Sequence, residues 1–99
     1  MAQFDVHRLA NRPGLVIDCQ TDLLGHIESC FVVPLVPLAD VPSPARRLNP
    51  VFAIEGEDHA MLTQSAAAIR RRDLGPKVAS LADHHHQIVD AFDFLLTGV

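Results

Sequence analysis

The sequence predicts a mainly β fold, a small barrel or twisted antiparallel sheet with one C-terminal helix packed on it. Short runs rich in apolar and β-branched residues, separated by turn residues, occupy most of the chain. The C-terminal segment instead carries apolar residues at spacings of three and four. A chain of 99 residues with 48% hydrophobic content has enough apolar side chains for one core. Residues 1–99 are therefore expected to form a single domain.

The first two predicted strands form an antiparallel hairpin. Residues 4–7 alternate between apolar and polar side chains, as a half-buried strand does. Residues 11–14 contain the turn dipeptide Pro-Gly, and residues 15–20 follow as the second strand. Because side chains alternate along a strand, Leu15, Ile17 and Cys19 are expected on one face.

Five further segments complete the predicted sheet and its connections. Residues 30–36 form a third strand, in which Pro34 requires an edge or a bulge because it lacks an N–H. Residues 40–47 are rich in proline and predict an extended connector. Val51–Ile54 and residues 59–62 flank the turn-like string Glu-Gly-Glu-Asp and predict a second hairpin. Residues 65–69 favour helix by composition but a short strand by context.

The C-terminal helix is predicted over residues 76–96. Pro76 suits the first helical position, where a missing N–H costs nothing, and Gly98 suits a C-cap. The spacing predicts one apolar face that packs on the sheet. Its members are Val78, Leu81, Ala82, His85, Ile88, Val89, Phe92, Leu95 and Leu96.

Net charge and hydropathy limit the classes of partner and the cellular location that the sequence predicts. A net charge of −4 disfavours direct nucleic-acid binding and favours a basic protein partner. The longest apolar stretch, residues 31–38, is far shorter than a membrane span and contains two prolines. The N-terminus lacks the pattern of a signal peptide. The expected location is the cytoplasm, where Cys19 and Cys30 are expected to be reduced, buried thiols.

Two charged clusters are interpreted as exposed surface. Consecutive helical residues point about 100° apart, so the three histidines His84, His85 and His86 cannot converge on one ion. Asp83, His86 and Asp90 share a helix face, but no fourth ligand accompanies them, so neither a metal nor another cofactor is expected. The triplet of residues 70–72, all arginine, lacks interleaved aromatic residues and is interpreted as a solvated turn rather than a phosphate site.

No motif for catalysis is present in the sequence. Asp18 has the chemistry of a general base, but no nucleophile or second acid accompanies it at a recognisable spacing. No phosphate-binding glycine loop or nucleophile-elbow pattern occurs. The protein is therefore expected to act by binding another protein, not as an enzyme.

Several local strings, in order along the whole chain, resemble the CcdB family of toxins from toxin–antitoxin modules. They are Gln-Phe-Asp-Val from Gln3, Val-Ile-Asp-Cys-Gln-Thr-Asp-Leu-Leu from Val16, Val-Val-Pro-Leu from Val32, Leu-Asn-Pro-Val from Leu48, Leu-Ala-Asp from Leu81, and the terminal Gly-Val. The resemblance implies a homodimer with an SH3-like barrel, a small extra sheet and a C-terminal helix. It also implies a poison that binds the DNA gyrase A subunit, or a related type II topoisomerase, and traps the cleaved DNA–gyrase complex. A CcdA-like antitoxin would neutralise it.

The resemblance also implies which residues contact gyrase. Carried over by motif, the contacts fall on Thr97, Gly98, Val99, Asp93, Leu23, Leu24 and Phe4. One departure matters, because the family typically ends in Trp-Gly-Ile and this chain has Thr97 in place of the tryptophan. Loss of such an aromatic anchor typically costs on the order of 2–4 kcal/mol of binding free energy. This weakens the expectation of gyrase poisoning while leaving the fold unaffected.

Two alternatives remain open beside the gyrase poison. One is a non-toxic protein of the same fold that binds antitoxin as a decoy. The other, less favoured by the acidic charge, is a ribonuclease toxin of the MazF type, which shares this barrel and requires a basic groove. A homodimer is also expected, since residues 31–38 offer more apolar surface than so small a barrel buries alone.

Overall fold

The computed structural model describes residues 2–99, which form seven strands and one α-helix. The strands are β1 Asp5–Leu9, β2 Leu15–Asp18, β3 Ser29–Pro37, β4 Val51–Ile54, β5 Glu57–Met61, β6 Ala67–Arg70 and β7 Leu74–Ser80, and the helix is α1 His85–Thr97. Single 3-10 turns lie at Asp22–Leu24, Leu38–Asp40, Thr63–Ser65, Arg71–Asp73 and Ala82–His84. The predicted mainly β fold with one C-terminal helix is confirmed, with more strands than the sequence suggested.

All strands pair antiparallel in one curled sheet, in the order β4-β5-β3-β2-β1-β7, with β6 pairing to β3 beside β5. The predicted β1–β2 hairpin is confirmed, with Val6 opposite Ile17. In the second hairpin, Glu55 and Gly56 both have positive φ, of 53° and 81°, which is typical of a two-residue type I′ turn. Within residues 2–99, no helix is long and apolar enough to cross a membrane.

Pro34 lies in a central strand, not at an edge. β3 pairs with β6 through residues 29–32 and with β5 through residues 35–37. Pro34 falls between these two ladders, where its missing N–H interrupts neither. The ambiguous segment 65–69 resolves into the 3-10 turn Thr63–Ser65 followed by β6.

The predicted start of the helix at Pro76 is wrong, because residues 74–80 form β7 at an edge of the sheet. Pro76 lies at an irregularity in the pairing with β1, between the Lys77–His7 and Leu74–Leu9 pairs, and an edge position with irregular pairing tolerates proline. A Cβ on Gly75 would lie 2.7 Å from the carbonyl oxygen of Arg8. The Gly-Pro pair therefore fits a close strand contact, and the helix begins only at His85.

The helix covers the core with a narrower face than the spacing predicted. Ile88 and Ala91 are buried among side chains from β1, β2, β3, β4 and β5, and Phe92 packs partly against them. Five members of the predicted apolar face are exposed instead: Ala82, His85, Val89, Leu95 and Leu96. A one-sided contact with the sheet buries only a stripe of a helix of 13 residues. The apolar residues beyond Phe92 are thus left on the surface.

Candidate protein-binding surface

The end of α1 carries a cluster of exposed apolar side chains. Leu96 is 78% exposed and Val99 is 80% exposed, with Leu95 partly exposed beside them. Gly98 ends the helix with φ of 75°, and its N–H donates to the carbonyl oxygen of Phe94 at 2.9 Å, which confirms the predicted C-cap. We call residues 97–99 the tail. Water-exposed apolar groups clustered on a fixed helix end are typical of a protein-binding surface.

Thr97 is bound back onto its own helix. Its hydroxyl donates to the carbonyl oxygen of Asp93 at 2.7 Å, and the N–H of Val99 donates to the same hydroxyl at 3.3 Å. The side chain of Asp93 remains exposed. Three predicted contact residues, Thr97, Asp93 and Val99, are therefore held in one hydrogen-bonded unit. The small polar Thr97 side chain lies where the resemblance led us to expect the family's tryptophan.

Arg47 joins the connector to the helix and the tail. Its Nε donates to Asp90 Oδ2 at 3.0 Å and its Nη2 to Asp90 Oδ1 at 2.6 Å. The same Nη2 donates to the main-chain oxygen of Val99 at 2.9 Å, and the guanidinium carbon lies 4.9 Å from the centre of the Phe94 ring. The hydrogen bond from Arg47 lowers the pKa of Asp90. No sequence signal indicated this pairing, since 43 residues separate the two partners.

The loop of residues 21–28, which we call the leucine loop, contains Leu23 and Leu24, two more of the predicted contact residues. Leu23 is 85% exposed and Leu24 is also exposed, as expected. Thr21 caps the 3-10 turn by accepting a hydrogen bond from the N–H of Leu23. A leucine displayed this openly on a capped turn is available to a partner.

Arg71 anchors the leucine loop, so the interpretation of residues 70–72 as a solvated turn is wrong for its middle member. Arg71 Nε donates to the carbonyl oxygen of Ile27 at 2.9 Å, and its Nη2 to those of Leu24 and Ser29 at 3.3 and 3.4 Å. Its neighbours in the triplet are exposed. A guanidinium presents its donors in a fixed fork, which allows one side chain to hold three carbonyl groups.

An aromatic contact connects the leucine-loop side of the sheet with the helix. The rings of Phe31, on β3, and Phe92, on α1, lie 5.6 Å apart. Gln20 accepts a hydrogen bond from the N–H of Phe31 and donates to the carbonyl oxygens of Leu24 and Ser29. The strand that follows the leucine loop is thus joined to the middle of the helix through one pair of rings, which the sequence did not indicate.

Phe4 lies apart from the exposed groups. It is 5% exposed and belongs to the main core, with its ring edge against His85 at 5.4 Å between centroids. Its backbone has a positive φ of 69°, and its N–H donates to the carbonyl oxygen of Asp18. Its predicted contact with a partner would involve little side-chain surface without rearrangement, and that role stays a prediction.

The histidines are used in packing and surface contacts. His84 lies against the Phe52 ring, with 5.0 Å between centroids, and its Nδ1 is 3.2 Å from Gln87 Oε1. His85 packs against Phe4 and His86. In residues 2–99 there is no group of three or more His, Cys, Asp or Glu side chains that could hold a metal ion.

Asp18 and Cys30, which are buried in the sheet, and the half-buried Cys19 beside β2 have shifted pKa values. Burial raises the pKa of Asp18, against the lowering effect of a hydrogen bond from the N–H of Gln20. Burial also raises the pKa of the Cys19 thiol to about 12 and raises that of Cys30. Both cysteines are free thiols. An undissociated thiol is a poorer nucleophile than a thiolate.

Comparison with known proteins identifies the family. The family described as CcdB protein matches residues 3–98. The chain belongs to the CcdB family. The members of this family are toxins of toxin–antitoxin systems, and the expected CcdB-type assignment is confirmed. No curated protein matches the chain.

A solved structure shares the fold at low sequence identity. The Mycobacterium tuberculosis toxin MazF-mt6 superposes with a TM-score of 0.78 over 93% of this chain and 95% of that one, at 12% identity. A likeness at this identity shows a common fold and no more. The CcdB match alone therefore assigns the chain to the CcdB-type toxins, and the solved structure adds only the likeness in fold.

Proposed function

We propose that this protein binds the DNA gyrase A subunit, or a related type II topoisomerase, and traps the cleaved DNA–enzyme complex. The observation that carries the proposal is the exposed apolar tip formed by Leu96 and Val99 on a helix anchored by Ile88. In the family, gyrase contacts come from this end of the chain and from the loop after the second strand. Here both segments expose apolar side chains, and each is held by an arginine.

The proposed partners follow from the same family. The protein would act in the cytoplasm as a homodimer and be neutralised by a CcdA-like antitoxin, without catalytic residues of its own. The apolar run of residues 31–38 gives limited support to the dimer, since Val32, Val33 and Leu35 are already buried within one chain. Phe31 is exposed and Val36 is half-buried. Static light scattering at micromolar concentration tests the dimer directly, and a particle of 10.8 kDa would exclude it.

Deletion of residues 97–99 tests the gyrase proposal. These residues are exposed, so the deletion is expected to change the melting temperature little while abolishing growth inhibition and binding to the purified gyrase A subunit. Val51→Ser, which removes an exposed apolar side chain from the edge strand β4, is the matched control and should bind as the wild type does. A toxic protein whose deletion variant remains toxic would place the active surface elsewhere.

Two other functions are distinguished by specific features. The decoy alternative rests on Thr97, whose hydrogen bonds to its own helix leave no aromatic anchor at the tip. The ribonuclease alternative rests on a cleft of about 500 Å³ lined by Glu28 and residues 70–72. Arg71 is already committed to the leucine loop there, which leaves less free basic character than the triplet suggests. Cleavage of single-stranded RNA that stops in Arg70→Gln would favour the ribonuclease over the gyrase poison.

A further inference from the structure

Arg47, which is not one of the predicted contact residues, binds the tail. Arg47 is the last residue of the proline-rich connector and reaches three separate parts of the C-terminal segment. It pairs with Asp90 in the middle of α1, covers the ring of Phe94, and donates to the main-chain oxygen of Val99. No other side chain in residues 2–99 hydrogen-bonds to the tail from outside α1.

Nη2 of Arg47 donates hydrogen bonds to both the helix and the tail. Nη2 of Arg47 lies 2.6 Å from Asp90 Oδ1 and 2.9 Å from the Val99 oxygen. Because the guanidinium is planar and Nε binds the other carboxylate oxygen, Asp90 fixes the plane of the fork. The left-handed conformation of Gly98 then brings the main-chain oxygen of Val99 within hydrogen-bond distance of Nη2. A lysine has one point charge without this fork and would not fix both partners together.

We infer that Arg47 is a positioning residue, which orients the tail for its partner before binding. The inference rests on the proposed function in naming the gyrase A subunit as that partner. A tail that is already ordered loses less conformational entropy on binding than a free one. In this chain Thr97 offers no aromatic ring, so Leu96 and Val99 must make the apolar contact. The fixed orientation of these two side chains therefore contributes a larger share of the binding free energy than it would beside a tryptophan.

This role differs from a contribution to folding. The Arg47–Asp90 pair is exposed, with about half of each side chain in solvent, and exposed ion pairs contribute little to stability. Loss of Arg47 should leave the melting temperature nearly unchanged. The tail, which receives no other side-chain hydrogen bond from outside the helix within residues 2–99, should respond instead.

The test measures tail order and partner binding in the same variants of the full-length protein. In Arg47→Gln, the 15N order parameter of the Val99 amide should fall from about 0.8 to below about 0.6, the range of a flexible backbone. Arg47→Lys should be intermediate. Arg46→Gln, which removes an exposed neighbouring charge, should match the wild type. Calorimetric titration with the purified gyrase A subunit should show about tenfold weaker binding for Arg47→Gln and no change for Arg46→Gln.

The outcomes separate this inference from the proposed function. A Val99 amide that keeps its wild-type order in Arg47→Gln would overturn the inference, whatever gyrase binds. A tail that loosens without any change in affinity would overturn the positioning role. If the wild type does not bind the gyrase A subunit, the proposed function fails, and the tail measurement alone decides whether Arg47 orders the tail.

Discussion

Arg71 Nε donates a hydrogen bond to the carbonyl oxygen of Ile27 at 2.9 Å, across 44 positions of sequence. With the contacts of its Nη2 to Leu24 and Ser29, this bond closes the leucine loop onto the end of β6. Burial contributes little to the order of the loop, because residues 21–28 are all exposed. Its conformation therefore depends on hydrogen bonds, among them those that this guanidinium donates from outside the loop.

Arg71→Gln should loosen the leucine loop. Glutamine cannot span three carbonyl groups, so the amides of residues 23–27 should exchange with solvent at least about tenfold faster, a loss of about 1.4 kcal/mol of local stability. Hydrogen–deuterium exchange measures this peptide by peptide. Arg70→Gln, at the exposed neighbour, controls for the loss of charge. Unchanged exchange in Arg71→Gln would show that the turn itself, capped by Thr21, holds the loop.

Ile88→Ala should separate the helix from the sheet. Ile88 is fully buried in the main core, and truncation of a buried isoleucine typically costs about 2–5 kcal/mol of unfolding free energy. Val89→Ala, at the exposed adjacent position, should change it by less than about 1 kcal/mol. Urea denaturation of both variants measures the difference. Equal losses would contradict the narrow buried stripe and support the broader face that the spacing predicted.

The strands were predictable because alternation and turn residues are local signals. Residues 4–7 alternate between apolar and polar side chains, and the Glu55-Gly56 pair supplies the positive φ that a tight hairpin requires. The helix start was not predictable in this way. Val78, Leu81 and Ile88 have helical spacing, but Val78 belongs to a strand whose register is set by pairing with β1. Spacing alone does not distinguish the two when a strand leads directly into a helix.

The candidate surface was predictable only where it lies on residues carried over from the family. Leu23 and Val99 are exposed as expected. The contacts of Arg47 with Asp90 and of Phe31 with Phe92 join distant parts of the chain, and no periodicity in the sequence encodes them. Composition could indicate exposed charge but not which arginine holds which carbonyl group.

Asp18→Asn should stabilise the protein at neutral pH and not in acid. Burial raises the folded-state pKa of Asp18 above its ordinary value of 3.8, so folding favours the protonated carboxyl. That favourable contribution is present below about pH 3.8 and is lost as the pH rises through the folded-state pKa. Asparagine removes the buried charge and can still accept the hydrogen bond from Gln20. The variant's advantage in melting temperature should therefore grow from about pH 3.5 to pH 7.

Asp58→Asn, at an exposed position on β5, controls for the loss of one negative charge. Circular dichroism melts of the three proteins at several pH values give the comparison. An advantage of Asp18→Asn that is as large in acid as at neutral pH would show that packing, not desolvation of the carboxylate, determines the effect.

Thr97→Trp should restore the aromatic anchor that the family carries at this position. The substitution removes the hydroxyl bonds to Asp93 and Val99 and adds a ring beside the exposed Leu96. The ring should increase affinity for the gyrase A subunit by roughly 30- to 1,000-fold, equivalent to about 2–4 kcal/mol. Thr97→Val, which loses the hydroxyl without gaining a ring, should not bind more tightly.

Calorimetric titration and growth inhibition measure these variants together. A wild type without toxicity that Thr97→Trp makes toxic would favour the decoy, because the scaffold would then be intact and only the anchor absent. If neither protein binds a topoisomerase subunit, the exposed tip has a different partner, and the gyrase proposal is rejected while the family assignment stands.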